Sequence, residues 1–316
     1  SPTVLLKNSS GSSAEVNGLL TSALRAEGFQ AFPVLSSTRS NGYLSITRPS
    51  LSQFNHFLVY VSLNEGQSYL LLDATMAKLP ANLLPLADIN DRGRVIMDET
   101  SSWINLTAPA SQKTAMQLKM SLDGYSQCSG SLKYKASDYA AYFDRESAEG
   151  ESALSNLLSE KTGHTLDELQ VDGYDNPYSD LSIEAQLNVS ESVIVSDDLI
   201  YIPALQTPIY TENPLKAEER VLPIDFATPK ESVYVMQLEI PENMQLEELP
   251  ESVSFVLPDN KGKYSVRYID LNGNVQVVEQ FSINESFFSS EDYGALRNFM
   301  DLVVEQQQNL LVVRKL

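Results

Sequence analysis

The sequence predicts an α+β protein, and two patterns of hydrophobic residues support this prediction. One segment near the start has apolar side chains at helical spacing, and the short segments after it alternate apolar and polar residues as strands do. From about residue 115 onward alternating segments dominate, with only two further helical stretches among them. We therefore expect a first region of mixed structure followed by β-rich regions.

The first element in order is a helix over residues 13–27. Ser12 and Glu15 have the spacing of a capping box, which satisfies the free amides of a first helical turn. Gly28 follows where a left-handed residue commonly ends a helix. The predicted buried face consists of apolar residues three and four positions apart, namely Val16, Leu19, Leu20, Ala23 and Leu24.

Three strands are predicted next, over residues 31–37, 55–63 and 68–73. Residues 64–67 join the last two strands as a hairpin turn. The long segment between residues 38 and 53 is able to overhang a site. Trp103 stands on a later apolar strand and is predicted to lie in the core rather than in the wall of a cleft.

Beyond Pro109 the chain divides into two further predicted regions. A β-rich middle region with helices is expected over residues 109–207, and a C-terminal β-sandwich-like domain over 208–316. That domain is predicted to hold one helix, residues 292–307, and sharp hairpin turns such as Leu271-Asn272-Gly273-Asn274.

The composition limits the classes of partner. The length of 316 residues exceeds that of a typical single domain, and no apolar run approaches the ~18 residues that span a membrane. The net charge is −20, of which residues 1–108 carry only −1. Such acidity argues against nucleic acid and anionic membranes as partners. The single cysteine, Cys128, excludes an intrachain disulfide and a cluster of thiolate metal ligands.

Three residues in the first region have the chemistry of a catalytic site. Ser13 opens the helix, where free amides and the helix dipole stabilise negative charge. His56 and Asp73 stand on neighbouring predicted strands. Such strands are able to place a general base beside the acid that orients it. The spacing therefore allows a triad of Ser13, His56 and Asp73.

The sequence around this trio resembles the transglutaminase-like superfamily over about residues 8–108. More narrowly, the chain looks like exported bacterial proteins in which a transglutaminase-like core stands between β-rich domains of unknown function. The segment Glu291–Lys315 is similar to the last domain of that group. The motifs that carry the resemblance are Gly11–Asn17, Ala31–Arg39, Phe54-Asn55-His56 and Leu71–Thr75.

The resemblance implies a papain-like core over residues 1–108 that lacks its N-terminal part. It also implies an exported protein, periplasmic or attached to the cell surface. His56 falls on the catalytic histidine of the superfamily and Asp73 on its acid. Ser13 falls where the superfamily has its nucleophilic cysteine, and an alcohol ionises far less readily than a thiol.

Three hypotheses follow for position 13. In the first, the site is catalytically degenerate and binds an extended peptide or a glycan-linked peptide as a scaffold. In the second, Ser13, His56 and Asp73 form the triad of an active peptidase or amidase. In the third, a serine replaces a native cysteine, or activity uses another site.

No cofactor and no metal is predicted, because the sequence has neither a glycine-rich phosphate loop nor a histidine-based metal motif. The segment with Asp172, Asp175, Asn176 and Asp180 is rich in oxygen ligands, but its spacing does not fit an EF-hand. A solvated turn is therefore preferred over a Ca²⁺ loop. Whether the acidic stretch 151–250 binds a partner or Ca²⁺ stays open, as does the oligomeric state.

Overall fold

The computed structural model describes residues 11–48, 50–123, 127–148 and 150–316. The first ten residues of the predicted core therefore lie outside the described residues. The chain divides into two compact units, residues 1–110 and 111–316. No helix among the described residues is long and apolar enough to cross a membrane.

The first unit opens with α1 (Ser13–Ala26), close to its predicted range. The capping box of Ser12 and Glu15 is present, and Gly28 has the positive φ of 89° that ends the helix. Leu20 and Leu24 pack on Ala31, Val59 and Val61, as the apolar periodicity indicates. The side chains that α1 buries fully are nevertheless two polar ones, Asn17 and Thr21.

A five-stranded antiparallel sheet forms the rest of the first unit, in the order β3-β2-β1-β4-β5. Val34, Leu58, Val95 and Leu106 form a second apolar cluster in this unit. The strands are β1 (Gln30–Ser36), β2 (His56–Leu63), β3 (Ser68–Leu72), β4 (Arg92–Ile96) and β5 (Ser101–Asn105).

The second unit contains fourteen strands and three α-helices among its described residues. Its helices are α2 (Tyr139–Ser147), α3 (Leu154–Thr162) and α4 (Tyr293–Gln306). Its strands are β6 (Gln112–Leu122), β7 (Cys128–Asp138), β8 (Leu166–Asp172), β9 (Leu181–Asn188), β10 (Ile194–Ser196), β11 (Leu199–Pro203), β12 (Ile224–Asp225), β13 (Lys230–Glu239), β14 (Met244–Glu248), β15 (Val253–Val256), β16 (Gly262–Leu271), β17 (Asn274–Ile283), β18 (Phe287–Phe288) and β19 (Leu310–Lys315).

One eight-stranded sheet dominates the second unit, in the order β15-β16-β17-β13-β6-β7-β9-β8. At the centre of the sheet β6 and β13 pair in parallel, and the register runs from Gln112 opposite Lys230 to Ser121 opposite Glu239. The strands of the predicted middle and C-terminal regions therefore share one sheet. The division of the chain into three regions stays a prediction.

The prediction of an α+β fold with a papain-like core, a β-rich middle region and a C-terminal β-sandwich-like domain is wrong. Strands make up 41% of the chain and helices 22%, so the protein is mostly β. In the first unit, α1 is the only α-helix among the described residues, and residues 92–105 extend its sheet. In the second unit, pairing between β6 and β13 joins strands that local patterns assign to separate regions.

Candidate functional site

The candidate site begins at the first turn of α1. The hydroxyl oxygen of Ser12 accepts a hydrogen bond from the Glu15 amide, and the Glu15 carboxylate accepts one from the Ser12 amide at 3.0 Å. This backbone hydrogen bond and a second from the Ser12 hydroxyl hold the pKa of Glu15 below its usual value. Ser12 is the cap of the helix, and the next residue, Ser13, is the first helical residue. The Ser13 residue is partly exposed.

His56 and Asp73 meet as their positions on adjacent strands predict. His56 is the first residue of β2, and Asp73 directly follows β3, its antiparallel neighbour. The distance from His56 Nε2 to Asp73 Oδ2 is 2.8 Å. The Thr75 amide donates to Asp73 Oδ1, also at 2.8 Å, so both oxygens of this buried carboxylate have partners.

Asn17 connects the helix to both strands. Its side-chain amide donates to Asp73 Oδ1 at 2.8 Å and to the Phe57 carbonyl at 2.6 Å. Its oxygen accepts from the Ala74 amide at 2.8 Å. Sequence reasoning included Asn17 in a motif but gave it no role. The available signal was a polar residue one helical turn after Ser13, where the helix faces the sheet.

Asp88 is a second carboxylate at His56, and sequence reasoning missed it. It ends a 3-10 helix, Leu86–Asp88, and only 1% of the residue is exposed. Its Oδ1 lies 3.3 Å from His56 Nε2, an ion-pair distance, yet neither of its oxygens accepts a hydrogen bond. Because it lies in an irregular segment between prolines and strands, no periodic pattern distinguishes it from other loop acids.

Hydrogen bonds of the neighbouring residues fix the segment that carries Asp88. The side-chain amide of Asn90 donates to the carbonyls of Ser37 and Gly42, at 3.0 and 2.9 Å. The Arg39 guanidinium donates to the Ile89 carbonyl at 3.2 Å. These contacts fasten the segment of Asp88 to the chain that leaves β1, whose last residue, Ser36, pairs with His56 across the sheet.

The three titratable groups shift one another's pKa values. Burial opposes the charged form of His56, but the hydrogen bond to Asp73 and the charges of Asp88 and Asp73 outweigh it and raise the pKa of His56. Burial also opposes ionisation of Asp73, yet the hydrogen bonds to His56 and Asn17 and the contact with Asp88 hold the pKa of Asp73 well below its usual range. For Asp88, burial and then the contact with Asp73 raise the pKa to about 8.

Ser13 is the member of the predicted trio that the contacts leave out. Among the described residues, no hydrogen bond joins its hydroxyl to His56. The structure thus brings His56 and Asp73 together, adds Asp88 and Asn17, and places Ser13 at the helix start without a hydrogen bond to the base. The catalytic assignment of the three residues stays a prediction.

A groove of the first unit lies close in sequence to His56. It has a volume of about 330 Å³ and is lined by Leu44, Ser45, Ile46, Ser50, Gln53, Phe54, Arg94 and Trp103. The prediction that Trp103 belongs to the core is wrong, because 38% of this residue is exposed and the Arg94 guanidinium lies 5.0 Å from the centre of its ring. Trp103 is instead a wall of the groove.

The second unit contains a larger cavity of about 590 Å³. Glu279 lies on its wall, with one oxygen bonded to Tyr264 and Gln307 and the other, Oε2, without a partner. The oxygen-rich segment of Asp172–Asp180 lies elsewhere in this unit. The carbonyls of Gly173 and Ser179 in this segment accept hydrogen bonds from the buried guanidinium of Arg145. The positive charge beside this loop therefore comes from a side chain of the protein.

Comparisons with known proteins give a family match for part of the second unit and a similar structure for the whole chain. A domain of unknown function with a solved structure, DUF3858, matches residues 198–313. A crystal structure from Parabacteroides distasonis ATCC 8503, described as that of a putative protease, is similar with a TM-score of 0.53 and 12% sequence identity. The alignment covers 99% of this chain and 46% of that one, so the chain spans about half of that structure's length. At this identity the likeness concerns the fold. The comparison with curated proteins gives no match.

Proposed function

We propose that the first unit is a transglutaminase-like site in which the nucleophile is lost and the remaining frame binds a peptide without cleaving it. The observation that carries this proposal is the lack of a hydrogen bond between Ser13 and His56. The Ser13 hydroxyl makes no hydrogen bond to His56 among the described residues, whereas His56 is held between two buried carboxylates.

The chemistry of the two nucleophiles explains why this missing hydrogen bond matters. A thiol at a helix start ionises readily and is able to attack without simultaneous proton removal. An alcohol remains protonated, so a base must contact it during the attack. A site built for a thiol therefore loses activity when oxygen replaces sulfur at Ser13, while its groove and its framework persist.

The groove that contains Phe54, two residues before His56, provides a surface for the proposed ligand. Apolar side chains from three segments, Leu44, Phe54 and Trp103, wall it, and Arg94 adds a cation. Such a mixture suits an extended peptide, or a peptide linked to a glycan, with an apolar side chain in the groove. We place this binding protein outside the cytoplasm, periplasmic or at the cell surface, as the resemblance implies.

An active peptidase or amidase is the second candidate, and one contact favours it. The 2.8 Å hydrogen bond between His56 and Asp73 is the bond that orients a general base in a catalytic triad. The similarity of fold to a structure described as a putative protease also agrees with a hydrolase ancestry. In this case Ser13 would have to move into contact with His56 when substrate binds.

Covalent labelling separates the two candidates. A serine-reactive fluorophosphonate is added to the unaltered chain and to Ser13→Ala, and adducts are located by mass spectrometry. We expect no adduct at Ser13. An adduct at Ser13 that is absent from Ser13→Ala would establish the triad and overturn the binding proposal.

A second variant tests whether the frame of the site is intact. In Ser13→Cys we expect alkylation by iodoacetamide near neutral pH to be at least tenfold faster than in Ser22→Cys, which places a thiol on the same helix away from its N-terminus. The native Cys128 should not react with iodoacetamide, because it is fully buried and burial raises the pKa of its thiol to about 12. Equal rates would contradict an activated position at residue 13.

A further inference from the structure

Unsatisfied polar atoms concentrate around His56. Four buried side-chain oxygens lack a hydrogen-bond partner within the described part of the chain, and three of them belong to Asp88 and Ser36. Ser36 stands directly opposite His56 in the register of β1 and β2, so the two side chains share one face of the sheet. Buried carboxylates normally have donors or a bound cation, because desolvation of an unpaired charge is very unfavourable. The Asp88 carboxylate has neither a donor nor an ammonium or guanidinium group bonded to it.

We propose that His56, Asp73 and Asp88 bind a divalent transition-metal ion of the zinc or manganese class. One ligand atom from each of the three residues lies within 4.8 Å of the other two. His56 Nε2 is 2.8 Å from Asp73 Oδ2 and 3.3 Å from Asp88 Oδ1. Ligands at about 2.0–2.2 Å from a tetrahedral ion lie about 3.3–3.6 Å from each other, so small side-chain movements would admit the ion.

The donor set decides which class of cation fits. Zinc and manganese accept one imidazole nitrogen together with carboxylate oxygens. Calcium and magnesium prefer oxygen ligands throughout and in larger number. The burial of both carboxylates also favours an ion held by the side chains rather than one attracted loosely to the surface, which would keep its water.

This metal site does not depend on the proposed function. It needs no reactivity at Ser13, and its test reads metal binding rather than labelling or turnover. An adduct at Ser13 would overturn the peptide-binding proposal and leave the metal site untouched. Conversely, failure of the chain to bind zinc would overturn the metal site and leave the peptide-binding proposal to be decided by the labelling experiments.

Calorimetry provides the first test. The full chain is freed of metal with a chelator, dialysed and titrated with ZnCl₂, with MgCl₂ as a separate titration. We expect one zinc ion per chain, no saturable magnesium binding, and at least tenfold weaker zinc binding in Asp88→Asn. The matched control is Asp91→Asn, which removes a partly exposed acid from the same segment and should change the affinity less than twofold. This control is needed because a net charge of −20 attracts cations non-specifically.

Nuclear magnetic resonance provides a test that needs no variant to fold. The chain has two histidines, His56 and His164, so its imidazole spectrum contains two spin systems. Zinc should shift the His56 signals and leave those of His164 in place, and Mn²⁺ should broaden the same signals selectively. The proposal is overturned if zinc does not saturate a single site, if Asp88→Asn binds as tightly as the unaltered chain, or if only His164 responds. The carboxyls of Asp73 and Asp88 would then hold a shared proton.

Discussion

Both units bury carboxylates, but they surround them with different chemistry. In the first unit, Asp73 and Asp88 flank the imidazole of His56, which reaches the surface with 15% of its side chain. In the second unit, the buried Glu279 is bonded only to neutral groups, the Tyr264 hydroxyl at 2.9 Å and the Gln307 amide at 2.6 Å. Each region leaves carboxylate oxygens without partners.

The difference teaches how to separate a candidate site from a structural group. Two acids, an imidazole and the Asn17 amide of α1 come from separate segments of the first unit and converge at one place, which is typical of sites that bind or react. Glu279, by contrast, is a single acid among neutral donors. It stabilises the packing while it is protonated, and no second charged group is bonded to it with which it could form a site. The following predictions test that contrast.

The largest effect is expected for Asn17, which connects Asp73 to the helix of the first unit. Asn17→Ala should lower the free energy of unfolding of this unit by about 4 kcal/mol, because it removes three buried hydrogen bonds, to the Asp73 carboxylate, the Phe57 carbonyl and the Ala74 amide. Trp103 is the chain's only tryptophan, so its fluorescence during urea unfolding reports on this unit. Asn55→Ala removes two exposed hydrogen bonds to Thr38 and should cost about 1 kcal/mol. Equal losses in the two variants would contradict the role of Asn17.

The next effect is a pH dependence in the second unit. Burial raises the pKa of Glu279 from 4.5 to about 7, although bonds from Gln307 and Tyr264 oppose this shift. Between these values the folded chain binds a proton that the unfolded chain has released, so stability is full below pH 4.5 and falls as the pH rises through about 7. The loss should reach about 3 kcal/mol at most.

Urea unfolding followed by circular dichroism at several pH values measures this loss. Glu279→Gln should remove this part of the pH dependence, whereas the exposed control Glu242→Gln should retain it. The explanation fails if Glu279→Gln and the unaltered chain show parallel pH profiles.

A smaller effect of opposite sign is expected at Asp88. In chelator, Asp88→Asn should stabilise the first unit by about 1 kcal/mol, because it removes a buried carboxyl that lies close to Asp73 and provides an amide that is able to donate to Asp73. Zinc should stabilise the unaltered chain and not this variant. Thermal unfolding with and without zinc measures both effects, and destabilisation of the variant in chelator would show that Asp88 has a partner.

The smallest effect separates two adjacent serines. Ser12→Ala should cost about 1 kcal/mol, because it removes the cap of α1, whereas Ser13→Ala should change stability by less than about 0.5 kcal/mol. Tryptophan fluorescence during urea unfolding compares the two variants. A greater loss from Ser13→Ala would mean that its hydroxyl is a structural group.

Local features were predictable because neighbouring residues determine them. The capping box at Ser12 and Glu15 and the left-handed Gly28 follow from hydrogen bonds within one helical turn. The hairpin of β16 and β17 follows from Asn272-Gly273, both at positive φ. The meeting of His56 and Asp73 also followed from order alone, since a hairpin places the start of one strand beside the end of the next.

The overall class was not predictable in the same way. The apolar and polar alternation of the later strands is the same whether they form a separate sandwich or one wide sheet. The parallel pairing of β6 with β13 joins residues more than one hundred positions apart, and no local pattern encodes it. The predicted α+β class is wrong because strands make up 41% of the chain and helices only 22%.

The sequence by itself determined the elements of the site: the capped helix with Ser13 at its start, His56 at the start of a strand, and Asp73 at the end of the next. Only the tertiary structure decided which of these groups meet. It bonded Asn17 to Asp73, added Asp88 to His56 and left the Ser13 hydroxyl without a hydrogen bond to the base. The physical reason is that hydrogen bonds of a turn or hairpin depend on adjacent residues, whereas the surroundings of a buried charge depend on segments that only folding brings together.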